Sequence, residues 1–252
     1  MANKNIYCAG NTKAVRFAEY FLRSEGFHCT SHPQWDAGHL LLDIPSFRDA
    51  KTLRSGGSID TLLESLPKEI MIWGGNLRQS IPGGYKTIDL LEDEIYLAKN
   101  AAITADCALQ IASPLLNTTW KDTSALVIGW GRIGKCLATL LKSLDCTVTV
   151  ASQSPSSRAA LEAAGFHTAD SGNISGEAAH NRIVFNTVPK VMIPAADAHR
   201  WEACVKIDLA SQKGIEGDNV IWAKGLPGIH APESSGKLIA ETVSRLWKEC
   251  NF

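Results

Sequence analysis

Apolar and polar positions follow two rhythms along this chain. Short apolar runs end in glycine turns, and longer stretches with apolar residues at helical spacing follow them. NIYCAGN (5–11) reads as a strand and a turn. In TKAVRFAEYFLRSEG (12–26), Ala14, Val15, Phe17, Ala18, Phe21 and Leu22 share a helical stripe, and Gly26 ends the helix. FHCTS (27–31) and HLLLDIP (39–45) predict strands. SIDTLLESLP (58–67) predicts a short helix opened by Ser58, and EIMIWGGN (69–76) a buried strand with a glycine turn.

ITADCALQIASPLL (103–116) is a mostly apolar helix suited to bridging two domains, and NTTWKDTS (117–124) is a polar linker. A second alternation then begins. ALVIG (125–129), TVTVA (147–151), RIVFN (182–186), VKIDLA (205–210) and VIWAKG (220–225) predict strands. RIGKCLATLLKSL (132–144) and SSRAALEAAG (156–165) predict helices between them. The last segment, PESSGKLIAETVSRLWKE (232–249), is a helix with Leu238, Ile239, Val243, Leu246 and Trp247 on one side. Alternating strands and helices predict an α/β fold with parallel sheets.

Composition narrows the class. The 252 residues are 45% hydrophobic and 20% charged, with a formal net charge of −1. No global field recruits nucleic acid or an anionic membrane, so an anionic ligand must be held by local groups. Seven cysteines without CxxC spacing predict neither a disulfide framework nor a metal site. The start MANKNIYCAG lacks the apolar core of a signal peptide, and no apolar run is long enough to span a membrane. A cytoplasmic protein is expected.

The candidate chemistry centres on Gly129, Gly131 and Gly134, a GxGxxG set between a strand and a helix. In a dinucleotide site the first glycine makes the tight turn and the second lets backbone approach the pyrophosphate. The third lets helix and strand pack, and the helix start holds the anion. Arg132 and Ile133 sit in this turn, Arg132 beside the expected pyrophosphate. The second strand ends in ASQSPSSR without a carboxylate. An NAD enzyme usually has Asp or Glu there for the ribose hydroxyls. Ser152, Gln153, Ser154 and Arg158 would instead welcome the extra phosphate, which predicts NADP over NAD, with NAD possible.

VIGWGRIGKCLA, FNTVPKVMI, IDLASQKGIEGDN and KGLPGIHAPESSGKLIAETV occur in the order and spacing of the dipicolinate synthase A-subunit family, which the chain resembles from about Leu90 to Trp247. DEIYLAKNAAITADCALQIA is similar to that family's interdomain segment. The chain departs from the pattern at Gln153, where the family tends to have Arg, and at Asp106, where it has a glutamate.

The resemblance implies two Rossmann-like doubly wound domains with an interdomain cleft, the last helix packing back on the first domain. Domains are expected at 1–103, joined by 232–252, and at 104–231. It implies NADP-linked oxidation of dihydrodipicolinate to dipicolinate, the spore calcium chelator. The implied partner is a flavoprotein-like B subunit. A homo-oligomer is also expected.

That chemistry needs a hydride acceptor beside the substrate ring and donors for two carboxylates. Strand ends place Asn186, Thr187, Val188 and Pro189, and Asp208, Leu209 and Ala210, around the cofactor. Asp208 either reaches the nicotinamide or orients its loop. Gly228 either lets backbone approach the substrate or belongs to a tight interdomain connection. His230 is the best-placed proton acceptor, which with Asp208 makes the expected catalytic pair. Gly10 and Asn11, then Gly74, Gly75, Asn76 and Arg78, are expected to bind the substrate through turn amides and the Arg78 guanidinium.

Two other classes compete. A D-2-hydroxyacid dehydrogenase needs an arginine near IDLASQKG, where Lys213 stands, and a histidine directly after a proline, whereas Gly228 and Ile229 separate Pro227 from His230. A nucleotide-binding subunit that turns over only with a partner fits the lack of an unambiguous acid–base residue.

Overall fold

The computed structural model describes residues 4–33 and 37–250. Residues 1–3, on which part of the signal-peptide expectation rests, and the ends of the expected domains at 1 and 252 lie outside the described residues. The chain divides into two compact units, one formed by Met1–Asn100 with Pro227–Phe252 and the other by Ala101–Leu226.

The first unit holds strands β1 (Asn5–Cys8), β2 (His28–Thr30), β3 (His39–Leu41), β4 (Met71–Gly74) and β5 (Lys86–Asp89). They form one parallel sheet in the order β2-β1-β3-β4-β5. Helices α1 (Lys13–Ser24) and α2 (Ile59–Glu64) follow β1 and β3. Thr12 caps α1 by accepting from the Val15 amide, and Ser58 caps α2 by accepting from Asp60. Gly26, with φ +82°, closes α1 in the left-handed region. One face of the sheet buries Tyr7, Leu40, Leu42 and Ile72 against Ile59 and Leu63 of α2.

Helix α3 (Glu94–Ala112) leads from the first unit into the second. There β6 (Ser124–Ile128), α4 (Arg132–Ser143), β7 (Thr147–Ser152), α5 (Pro155–Ala163), β8 (His167–Asp170), β9 (Ile183–Asn186), β10 (Val205–Asp208) and β11 (Val220–Trp222) follow in turn. All pair in parallel, in the order β11-β10-β9-β6-β7-β8. Counted from β6, this is 6-5-4-1-2-3, the order of a dinucleotide-binding sheet. The direction of winding reverses between β6 and β9, whose last residues Ile128 and Asn186 are in register. Leu126, Ile128, Val184, Trp201 and Ile215 are in its core.

The chain returns through the short helix α6 (Leu226–His230) to α7 (Pro232–Glu249), which packs on α1 in the first unit. Two strands escaped the apolar pattern. β5 and β8 lie at sheet edges and carry KTID and HTAD, with little apolar content to mark them. The segment GLPGIH, to which the apolar pattern assigns no element, is helical from Leu226, after a turn at Gly225 with φ +72°. No helix among the described residues is long and apolar enough to cross a membrane.

Candidate functional site

The glycine turn sits where the second sheet reverses its winding. Gly129 leaves β6 at φ +103°, a conformation that disfavours side chains. A Cβ there would also lie 2.6 Å from Thr187 Oγ1 and 2.7 Å from Val188. Thr187 crosses from the neighbouring strand end and donates to the Ile128 carbonyl through its amide (3.0 Å) and its hydroxyl (2.9 Å). A Cβ on Gly134 would overlap the Gly129 carbonyl oxygen, so this glycine lets α4 rest on the turn.

Gly131 differs from both. It is the N-cap of α4, no side chain caps that helix, and a Cβ on it would meet only open space. Gly131 and Arg132 are exposed, and Ile133 is half-buried. An uncapped start on a twelve-residue helix, bordered by open space, fits an anionic diphosphate. Gly129, Gly131, Arg132, Ile133, Gly134, Thr187 and Val188 are brought together here. Trp130, between the first two glycines, packs edge-on against Phe166.

The adenosine-side expectations come out differently. Ser152 ends β7 and is buried, while Gln153 and Ser154 are exposed. Ser154 caps α5 and shares a 2.8 Å hydrogen bond with Ser156. Arg158 is not a free cation. Its Nη1 donates to the carbonyls of Ser152 (2.7 Å) and Gln153 (3.0 Å), and lies 3.6 Å from Asp170 Oδ2.

Asp208 and Asn186 form a closed polar knot, both fully buried. Asp208 Oδ1 accepts from Asn186 Nδ2 (3.1 Å) and the Ala210 amide (3.0 Å). Its Oδ2 accepts from the amides of Gly214 (2.6 Å) and Ile215 (2.8 Å). Asn186 Oδ1 accepts from the Val188 amide and its Nδ2 also donates to the Val188 carbonyl. Four donors occupy the Asp208 carboxylate, which therefore orients the 209–215 loop and has no capacity left for a ligand. Of the two readings of Asp208, these contacts fit the one in which it orients its loop, and Asn186 braces the turn after β9 in the same way. Leu209 and Ala210 are likewise buried; Pro189 is exposed on the turn after β9.

In the first unit, turn amides expected to hold a substrate carboxylate are bonded within the protein: Asn11's to a carboxylate, Gly10's to a carbonyl and Gly75's to a hydroxyl. Asp43, 2% exposed, accepts from the amides of Asn11 (3.3 Å) and Thr12 (3.0 Å) and from the Thr12 hydroxyl (2.7 Å). Gly10 donates to the Leu41 carbonyl and is pressed against Asp43. The Gly75 amide donates to Ser46 Oγ, and Gly74 leaves room for that same hydroxyl. Asp89 accepts from the amides of Leu77 and Leu91. Packing thus explains the absence of a side chain at Gly10, Gly74 and Gly75, and the Gly10 and Gly75 amides are already bonded within the protein. Asp43, Ser46 and Asp89 follow no motif in the sequence; only strand pairing reveals what they bind.

Asn76 and Arg78 remain exposed. With Arg48, Asp49, Gln79 and Glu92 they line a pocket of about 500 Å³. Asn76 holds φ +60°, and Arg78 lies 4.0 Å from Glu92. Gly228, in α6, faces open space, and His230 is exposed at the end of that helix.

No family model matches this chain. It is 24% identical over 173 residues to the A subunit of dipicolinate synthase from Bacillus subtilis (strain 168), a stretch covering 65% of this chain and 58% of that protein. The chain thus aligns with less than two thirds of that curated relative. A crystal structure of the A subunit of dipicolinate synthase from Bacillus halodurans superposes with a TM-score of 0.84 at 19% identity, covering 97% of this chain and 98% of the other. A D-isomer specific 2-hydroxyacid dehydrogenase from Xanthobacter autotrophicus Py2 superposes at 0.56 with 14% identity, covering 98% of each. The motif resemblance is borne out: the chain is similar in sequence to the dipicolinate synthase A subunit, has its fold, and shares the wider fold of the 2-hydroxyacid dehydrogenases.

Proposed function

We propose that this chain is a nicotinamide-dinucleotide oxidoreductase of the dipicolinate synthase type, oxidising dihydrodipicolinate to dipicolinate with NADP, or with NAD. The observation that carries this reading is the uncapped start of α4 at Gly131, beside the winding reversal of the second sheet. Similarity to the dipicolinate synthase A subunit supports the substrate.

In this reading the first turn of α4 and Arg132 bind the pyrophosphate, and Ser152, Gln153 and Ser154 border the adenosine ribose. Thr187 to Pro189 border the nicotinamide half, held in place by the Asn186–Asp208 knot. The bound nicotinamide supplies hydride acceptance. Arg78, with Arg48 across the same pocket, binds a substrate carboxylate, and Asn76 supplies a further polar contact. Gly228 borders the substrate, and exposed His230 takes the proton that oxidation releases and passes it to water.

Seven free thiols suit a reducing, cytoplasmic setting. The relative's name marks it as one part of a larger enzyme, which favours a second, different chain beside any self-association.

The test is an assay of purified chain with dihydrodipicolinate and either oxidised cofactor, following dipicolinate absorbance. Dipicolinate formed by the chain alone supports the full reading. Formation only with a second subunit supports the partner-dependent form. Rapid reduction of small 2-keto acids with NADPH, and no dipicolinate in either case, would overturn it in favour of a 2-hydroxyacid dehydrogenase.

A further inference from the structure

The end of β7 carries no carboxylate, yet the fold delivers one there. Ser152 and Asp170 are register partners at the last positions of β7 and β8. Asp170 Oδ1 accepts from the Gly172 amide (2.9 Å), which fixes the carboxylate on its own turn. Its Oδ2 stands 3.6 Å from Arg158 Nη1. The Arg158 side chain is only 22% exposed, folded onto the carbonyls of Ser152 and Gln153, while the Asp170 side chain is 53% exposed. The cation that a 2′-phosphate would need is therefore neutralised and turned inward, and an anion sits in its place at the surface.

We infer that Asp170 is a specificity-determining residue of the adenosine site, limiting the preference for a 2′-phosphate by repelling it and by holding Arg158 back. This rests on the dinucleotide reading above. A cofactor with a free 2′-hydroxyl meets no such repulsion, because it brings no charge to that position. Binding of the phosphorylated cofactor requires Arg158 to leave Asp170. An exposed ion pair is worth up to about 1 kcal/mol, which is roughly fivefold in affinity. Asp170 thus narrows the discrimination that the hydroxyls of Ser154 and Ser156 would otherwise give.

The experiment titrates the purified full chain with NADPH and with NADH, read by quenching of tryptophan fluorescence. It compares the unaltered chain with Asp170→Asn, which keeps an oxygen for the Gly172 amide, and with Asp170→Ser. Each variant is expected to tighten NADPH binding severalfold, up to about fivefold, and to leave NADH within about twofold, with the difference shrinking at high salt. An unchanged NADPH-to-NADH ratio, with both cofactors bound, overturns this inference alone. Weaker NADH binding in both variants also overturns it, by showing that Asp170 holds the ribose hydroxyls. Failure of the unaltered chain to bind either cofactor overturns the dinucleotide reading and this inference together.

Discussion

Asp208 and Asp43 show how a carboxylate at a strand end can serve the protein's own backbone. Each is buried and accepts from amides of a loop that the chain must hold still. At Asp208 the arrangement is unforgiving, because both oxygens face two donors. In Asp208→Asn the amide NH2 must point at two of those donors whichever way it turns. Unsatisfied buried donors cost about 1–3 kcal/mol each. The variant is expected to lose roughly 2–5 kcal/mol in urea unfolding and to bind nucleotide more weakly, because the 209–215 loop shifts. The residue type and its place after VKI were plain in the sequence. Its partners were not, since Gly214, Ile215 and Asn186 come together only when β9 and β10 pair.

Helices and strands were legible in proportion to their apolar content. Buried β4 and β6 announce themselves, whereas the edge strands β5 and β8 do not, and with β8 went Asp170. The signal for β8 was topological: Gly165, at φ +76°, ends α5, and a βαβ unit requires a strand after it. The α1–α7 contact is equally tight. A Cβ on Gly236 would overlap Phe17 and lie 2.5 Å from the Ala14 carbonyl oxygen and 2.8 Å from the Ala18 nitrogen. Gly236→Ala should gain up to about 1 kcal/mol of helix propensity. Backbone on the far side cannot yield, so overpacking of about 1–3 kcal/mol prevails and the urea midpoint falls.

A second tie holds α7 by charge. Arg245 donates to Asp93 Oδ1 at 2.6 Å, and Asp93 also accepts from the Tyr96 amide at the start of α3. Burial raises the Asp93 pKa, but the Arg245 hydrogen bond and charge and the Tyr96 amide outweigh it and leave it below its ordinary value. A depressed carboxylate adds stability that is complete above its unfolded value of about 4 and lost as pH falls through the folded one. The melting temperature of Asp93→Asn should therefore lie below that of the unaltered chain at neutral pH. The gap should close below about pH 4.

At the scale of the whole molecule, the chain order sets the construction. The second unit is one continuous stretch, while the first is completed only when α7 returns to α1. The sequence by itself determined the α/β class, the parallel strands, the GxGxxG turn and the likeness to the dipicolinate synthase A subunit, because local spacing encodes each of these. Only the tertiary structure decided which charges are available to a ligand. Asp43, Asp89 and Asp208 are consumed by turn amides, Arg158 is folded inward, and Asp170 reaches the end of β7 from another strand. The reason is physical: a side chain's chemistry depends on the donors and charges within a few ångströms, and those come from residues distant in the chain.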